Sequence, residues 1–142
     1  MEKRVNRNNF QTLAELRVVE AQVLWDRQCF HGCYYLAGYV VECALKACIA
    51  RGTMEGDFPD RTRVQESWKH DLDLLLRLAG LEPHLVADSK AEKEIGDNWA
   101  VAKRWKETSR YEWAIGEVEA RDLLRAVADT PNGVLAWLQR YW

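Results

Sequence analysis

The run from Gly32 to Ala50, GCYYLAGYVVECALKACIA, constrains this chain more than any other stretch, because it carries only two charges, Glu42 and Lys46. Its length suits a bilayer core, which takes about 20 residues. A span would place both charges in hydrocarbon, however, with no basic loop flanking the segment. The run therefore reads as the central helix of a soluble bundle, wrapped on almost all sides. Glu42 and Lys46 stand one helical turn apart with the acid first, the favourable order for a helical pair. Stepping back by three and four from Glu42 reaches Tyr39 and Tyr35, so Tyr35, Tyr39, Glu42 and Lys46 make one polar stripe on an apolar rod. The other sides carry small residues, among them Gly32, Cys33, Ala37, Gly38 and Ala44, which let neighbouring helices approach closely.

At 142 residues the chain is expected to form one domain that buries about two thirds of its unfolded surface. Seven Trp imply a heavily aromatic core or an apolar contact surface. A formal charge of −2 gives no global positive field, so any nucleic-acid role must use a local site. The opening MEKRVNRNN is mildly basic but lacks the apolar core of a secretory signal, which points to the cytoplasm. The four Cys, 29, 33, 43 and 48, fall in or beside the apolar run, where a reduced thiol behaves as a small hydrophobe. Cys29 and Cys33 flank His31, but no second short Cys or His pair completes a zinc spacing. No metal or other cofactor is expected.

Helical spacing recurs along the rest of the chain. After a polar, loosely held stretch over 1–8, Asn9 is the expected cap of a first helix carrying Phe10, Leu13, Leu16, Val19 and Val23 and running to about Gln28. His31-Gly32 marks a short break, so the first two helices should pack antiparallel. Residues 51–70, with two glycines and a proline, form the longest loop. Ser67 then caps a helix with Leu72, Leu75, Leu76 and Ala79 inward, ended by Gly80. A short helix with Pro83 in its first turn runs to about Ser89. From Lys90 to Lys106, Ile95, Trp99, Ala102 and Trp105 make an aromatic face, with Gly96 a point of interruption. Residues 107–116 connect to a helix over Glu117–Asp129 with Val118, Leu124 and Val127 inward. Thr130 and Pro131 start a last helix carrying Val134, Trp137, Leu138 and Tyr141. No alternating strand pattern appears. The expected fold is an all-α, up-down antiparallel bundle of four to five main helices with short accessory helices.

YYLAGYVVECALKA within the central run, HDLDLLLRLAG at 70–80, WKETSRYE at 105–112 and NGVLAWL at 132–138 together resemble the HEPN family, the higher eukaryotes and prokaryotes nucleotide-binding domain. The resemblance covers about residues 10–142. It implies a homodimer with a cleft between protomers, RNA or nucleotide binding, and a nucleotidyltransferase-type partner in a toxin–antitoxin or defence setting. It also implies metal-independent RNA cleavage by an Arg followed four to six residues later by a His near the start of the final long helix. There the His would move the ribose 2′-hydroxyl proton and the Arg would stabilise phosphorane charge. Arg110 stands in that place, but positions 115–117 are Ile, Gly and Glu, so the His is missing.

A relocated pair, Arg63 and His70, approaches a helix start from the long loop and is the candidate catalytic pair. A capping or surface role is the plainer reading of His70. Asp71 beside it, with Arg110, Tyr111 and the Tyr35, Tyr39, Glu42, Lys46 stripe, makes up the candidate cleft. Arg110 is expected to pair with Glu42 and hold its connector on the central helix, or to meet an incoming phosphate. A third possibility is a non-catalytic dimeric interaction module in which these residues are structural.

Overall fold

The computed structural model describes residues 5–53, 65–66 and 69–142. Asn6 opens the first helix, α1 (Arg7–Asp26). Its side chain accepts from the Asn9 N–H while the Asn9 side chain accepts from the Asn6 N–H, so two otherwise unpaired donors are satisfied reciprocally. Asn9 therefore completes the cap from inside the helix. The break after α1 falls at Gln28, whose φ of 60° reverses the chain just ahead of α2 (Phe30–Arg51). His31 and Gly32 already lie within α2. Leu24 packs against Gly32 and Trp25 against Phe30 at this end, so the two long helices run antiparallel.

Ala14 and Ala21, two turns apart and fully buried, form the seam of α1. Small side chains there let the backbones approach, and the opposite face then carries Leu16, Val19 and Val23, each at least half exposed. The apolar spacing that marks α1 as helical is thus largely not the face that enters the core. α2 is the reverse case: almost everything from Ala37 to Ile49 is buried, Glu42 and Lys46 included. It is the one described helix long and apolar enough to cross a membrane, and most of that apolar stretch is buried inside the bundle.

Five further helices follow among the described residues. They are α3 (Leu72–Leu78), α4 (Glu82–Ala91), α5 (Lys93–Ala102), α6 (Glu117–Ala128) and α7 (Val134–Leu138), with a 3-10 turn at Glu107–Tyr111. α2 packs most extensively on α1 and also touches α3, α6, α7 and the 3-10 turn. No strand occurs among the described residues, and the molecule is an all-α helical bundle. Asp71, not Ser67, caps α3, accepting from the Leu74 N–H at 3.0 Å; Ser67 and most of the 51–70 loop lie outside the described residues. Leu72, Leu75 and Leu76 are buried as expected, and Gly80 ends this segment with φ 72°. The expected helix over 90–106 is divided at Glu92, which is extended, and stops at Ala102. Gly96 does not interrupt it; it stands where α4 approaches so closely that a Cβ would meet Ser89 Oγ at 2.9 Å.

Val118 is exposed, contrary to expectation. The buried face of α6 is Ala120, Leu123, Leu124 and Val127, and Val118 projects from its far side. Gly116 donates to the Glu119 carboxylate at 3.1 Å at the start of that helix. α7 begins after Gly133, not at Pro131, which follows a cis bond in the turn. Trp137 is fully buried, donating its indole N–H to Asp88 at 2.8 Å; Tyr141 O–H donates to the same carboxylate.

The tightest contact lies on α2. A Cβ at Gly38 would stand 2.1 Å from Trp105 Cγ, so the indole lies directly on the helix backbone. Gly38→Ala should therefore cost about 1–3 kcal/mol through overpacking, read as a lower urea midpoint. An unchanged midpoint would mean that Trp105 does not rest on Gly38.

Candidate functional site

The polar stripe of α2 has two parts with different surroundings. Tyr35 and Tyr39 are half-buried and nearly parallel, with ring centroids 6.3 Å apart. One turn further, Glu42 is 1% exposed and Lys46 8%. A carboxylate so deep in a core is costly unless its oxygens are matched. Both are: Lys46 Nζ lies 3.2 Å from Oε2, and His70 Nδ1 lies 2.8 Å from Oε1. Asp71 fixes His70 from the next position, because its capping bond anchors the start of α3 while three buried leucines press that helix home.

The His70 ring is nearly half exposed, at 46% of its side chain. It borders a cavity of about 250 Å³ shared with Asp71, Asp73, Lys103, Trp105 and Lys106. Glu107 lines it as well, so three carboxylates stand against two lysines and any attraction for an anion is confined to Lys103 and Lys106. A larger hollow of about 730 Å³ shares Asp71, Asp73 and Lys103 and adds Lys69 and Arg77.

Trp105 connects this cavity to the tyrosines. It is buried against Gly38, with its ring centroid 6.0 Å from that of Tyr35. The 3-10 turn that follows is tied to the start of α2 by His31, whose Nε2–H donates to the Ser109 carbonyl at 2.9 Å. Arg110, expected against Glu42, instead pairs with Glu107 at 3.0 Å and sits 4.8 Å from the centre of the Tyr111 ring. The reason is local: three residues along a tight turn bring Glu107 beside Arg110, while Lys46 and His70 already occupy both Glu42 oxygens. Burial lowers the Arg110 guanidinium, but hydrogen bonding with Tyr111 and Tyr35 and the charge of Glu107 leave it above its ordinary value. Tyr111 is largely exposed and Trp113 is 92% exposed, so Trp113 stands outside the core.

The structure thus brings Glu42, Lys46, His70 and Asp71 together and sets Arg110, Tyr111, Tyr35 and Tyr39 along the same helix. Arg63 lies outside the described residues. The His70–Glu42 bond was not anticipated from the sequence. The signal available was a buried acid one turn before its lysine, with a single turn-borne His able to reach it. Lys103 and Lys106 were also missed, as two ordinary charges flanking Trp105. Chemically, the arrangement offers an imidazole held at one nitrogen by a buried carboxylate and open to solvent on another edge, beside two amines. Such an imidazole can move a proton to or from a bound group.

Among the described residues no group of three or more His, Cys, Asp or Glu is placed to hold a metal ion. The buried thiols are poor nucleophiles. Burial pushes Cys33 up to about 11. Burial and the nearby Glu42 charge push Cys43 up to about 11, and burial pushes Cys48 up to about 12. Cys29 is exposed. At pH 8 a thiol reagent should label Cys29 rapidly and the three buried cysteines only after unfolding, and labelling of a buried cysteine in native protein would contradict this. From pH 9 to 11 the unfolded chain loses thiol protons that the folded chain keeps, so stability should fall as pH rises through that window. Tyr39, held up to about 12 chiefly by burial, extends the loss from pH 10 toward 12. Urea midpoints at pH 8 and pH 11 measure it.

No family model, no curated protein and no solved structure matches the chain.

Proposed function

We propose that this protein is a small HEPN-like helical module that binds RNA or a nucleotide at the cavity beside His70. The observation carrying the proposal is Glu42. A carboxylate in the middle of the core, compensated by a buried lysine, reaches out to hold a half-exposed histidine at the edge of a cavity lined by Lys103 and Lys106. Stability alone does not call for that arrangement, since apolar residues of similar volume often serve it as well. A phosphate group entering the cavity would meet the two amines and the imidazole among the carboxylates of Asp71, Asp73 and Glu107, and Arg110 with Tyr35 and Tyr111 would supply hydrogen-bonding and stacking groups. Homodimerisation, a nucleotidyltransferase-type partner and a toxin–antitoxin or defence role belong to the proposal through the family resemblance, and a cytoplasmic location through the reading of residues 1–9 and the cysteines.

A second reading, metal-independent ribonuclease activity, is favoured by the His70–Glu42 bond. In it His70 takes the ribose 2′-hydroxyl proton, the 2′-oxygen attacks phosphorus, and the 5′-oxygen leaves with a proton from solvent. The guanidinium that would stabilise the phosphorane is Arg63 in the relocated pair.

A mixed single-stranded RNA pool with purified protein in chelator-treated buffer tests both readings. Wild type should bind RNA, and Arg110→Ala should weaken binding about tenfold or more, the scale of a charge-assisted hydrogen bond, with an unchanged circular dichroism spectrum. Cleavage that disappears in His70→Ala without unfolding would make the protein a ribonuclease. If wild type neither binds nor cleaves RNA, and Arg110→Ala only lowers the melting temperature, the RNA reading fails in favour of a non-catalytic interaction module.

A further inference from the structure

Glu42 has two oxygens and both are occupied. Lys46 Nζ, which can only donate, lies 3.2 Å from Oε2, and His70 Nδ1 lies 2.8 Å from Oε1. With the cation of Lys46 beside it, the carboxylate accepts at both oxygens, so the proton of the neutral His70 ring belongs on Nδ1. The other ring nitrogen, Nε2, lies on the edge turned away from Glu42, on a ring that borders the 250 Å³ cavity. His31 is bonded in the opposite sense, since its Nε2 faces the Ser109 carbonyl at 2.9 Å and a carbonyl can only accept.

We infer that the buried Lys46–Glu42 pair is a positioning device for His70, holding its proton on Nδ1 so that Nε2 presents its lone pair to the cavity. The inference deepens the proposed function and rests on that reading for its use, because the lone pair so presented is the one that would take a proton from a bound ribose or phosphate group. Lys46 and Glu42 touch no substrate. Lys46 supplies the positive charge that lets a carboxylate sit 1% exposed, and Glu42 holds the imidazole. The α2 backbone makes the pair rigid, because the two side chains stand one turn apart on a helix buried along most of its length. Asp71 completes the hold by fixing the backbone next to His70.

The test reads protons directly. Two-bond proton–nitrogen correlation spectra of histidine-labelled full-length protein, recorded where the imidazoles are neutral, distinguish a protonated from a bare nitrogen at each ring position. Wild-type His70 should carry its proton on Nδ1 and His31 on Nε2, so one spectrum shows both tautomers. In Glu42→Gln the amide can donate or accept, and His70 should shift toward the mixed populations of a free imidazole while His31 stays unchanged. Glu42→Gln leaves Lys46 without its partner in the core, so the double variant Glu42→Gln with Lys46→Met, which removes both charges, is measured alongside. A bare Nδ1 on wild-type His70, or identical His70 populations in wild type and a folded variant, would overturn the inference. In the RNA assay the folded variant should lose about ten- to a hundredfold in any cleavage rate, as loss of an orienting partner does elsewhere. Unchanged cleavage would overturn the positioning role. Absence of RNA binding by wild type would instead remove the functional reading and leave the tautomer result standing.

Discussion

Glu42 sets the terms for the rest of the molecule. A bundle of this size can bury a carboxylate only by surrounding it with matched donors. Here they come from two separate stretches of chain, Lys46 on the same helix and His70 at the start of α3. The second donor is the one with structural consequences. It requires α3 to begin where it does, which Asp71 secures by capping, and it requires the three buried leucines of α3 to hold that helix against α2. The ionic pair contributes position more than stability.

The second condition on the site is steric. Trp105 can lie on α2 only because Gly38 has no side chain, and Trp105 in turn places the 3-10 turn with Arg110 and Tyr111. His31 then ties Ser109 to the start of α2. One helix therefore supplies the floor, the buried charge and the docking point for the connector. Its small residues and its single acid are two halves of the same design.

Much of this was legible in the sequence and some was not, for separable reasons. The central helix and its polar stripe were plain because Glu42 and Lys46, one turn apart in a long apolar run, argue against a membrane span and for a buried bundle helix. The leucines of α3 and the Gly80 terminator followed from spacing and from the glycine's left-handed freedom. The face of α1 was misleading: Leu16, Val19 and Val23 keep perfect helical spacing, yet the buried seam is Ala14 and Ala21, because close approach of two backbones favours methyl groups over larger side chains. Val118 failed in the same way, with Ala120 taking the inward place. Arg110 was assigned to Glu42 because charge alone suggested it. Sequence does not show that both oxygens were already taken, nor that a tight turn would put Glu107 closer.

The contact between Gly38 and Trp105 also bears on the order in which the molecule assembles. The α1–α2 hairpin closes through a three-residue connection, Arg27 to Cys29, so its contacts are local and lose little chain entropy on forming. Gly38 and Trp105 lie far apart in the chain, and their contact forms only once the segment that follows α5 has arrived. The cavity beside His70 depends on both events. A nascent or partly folded chain is thus expected to hold its hairpin while lacking the indole wall of the site, which makes the finished cavity a property of the whole fold and not of the helix that carries most of its chemistry.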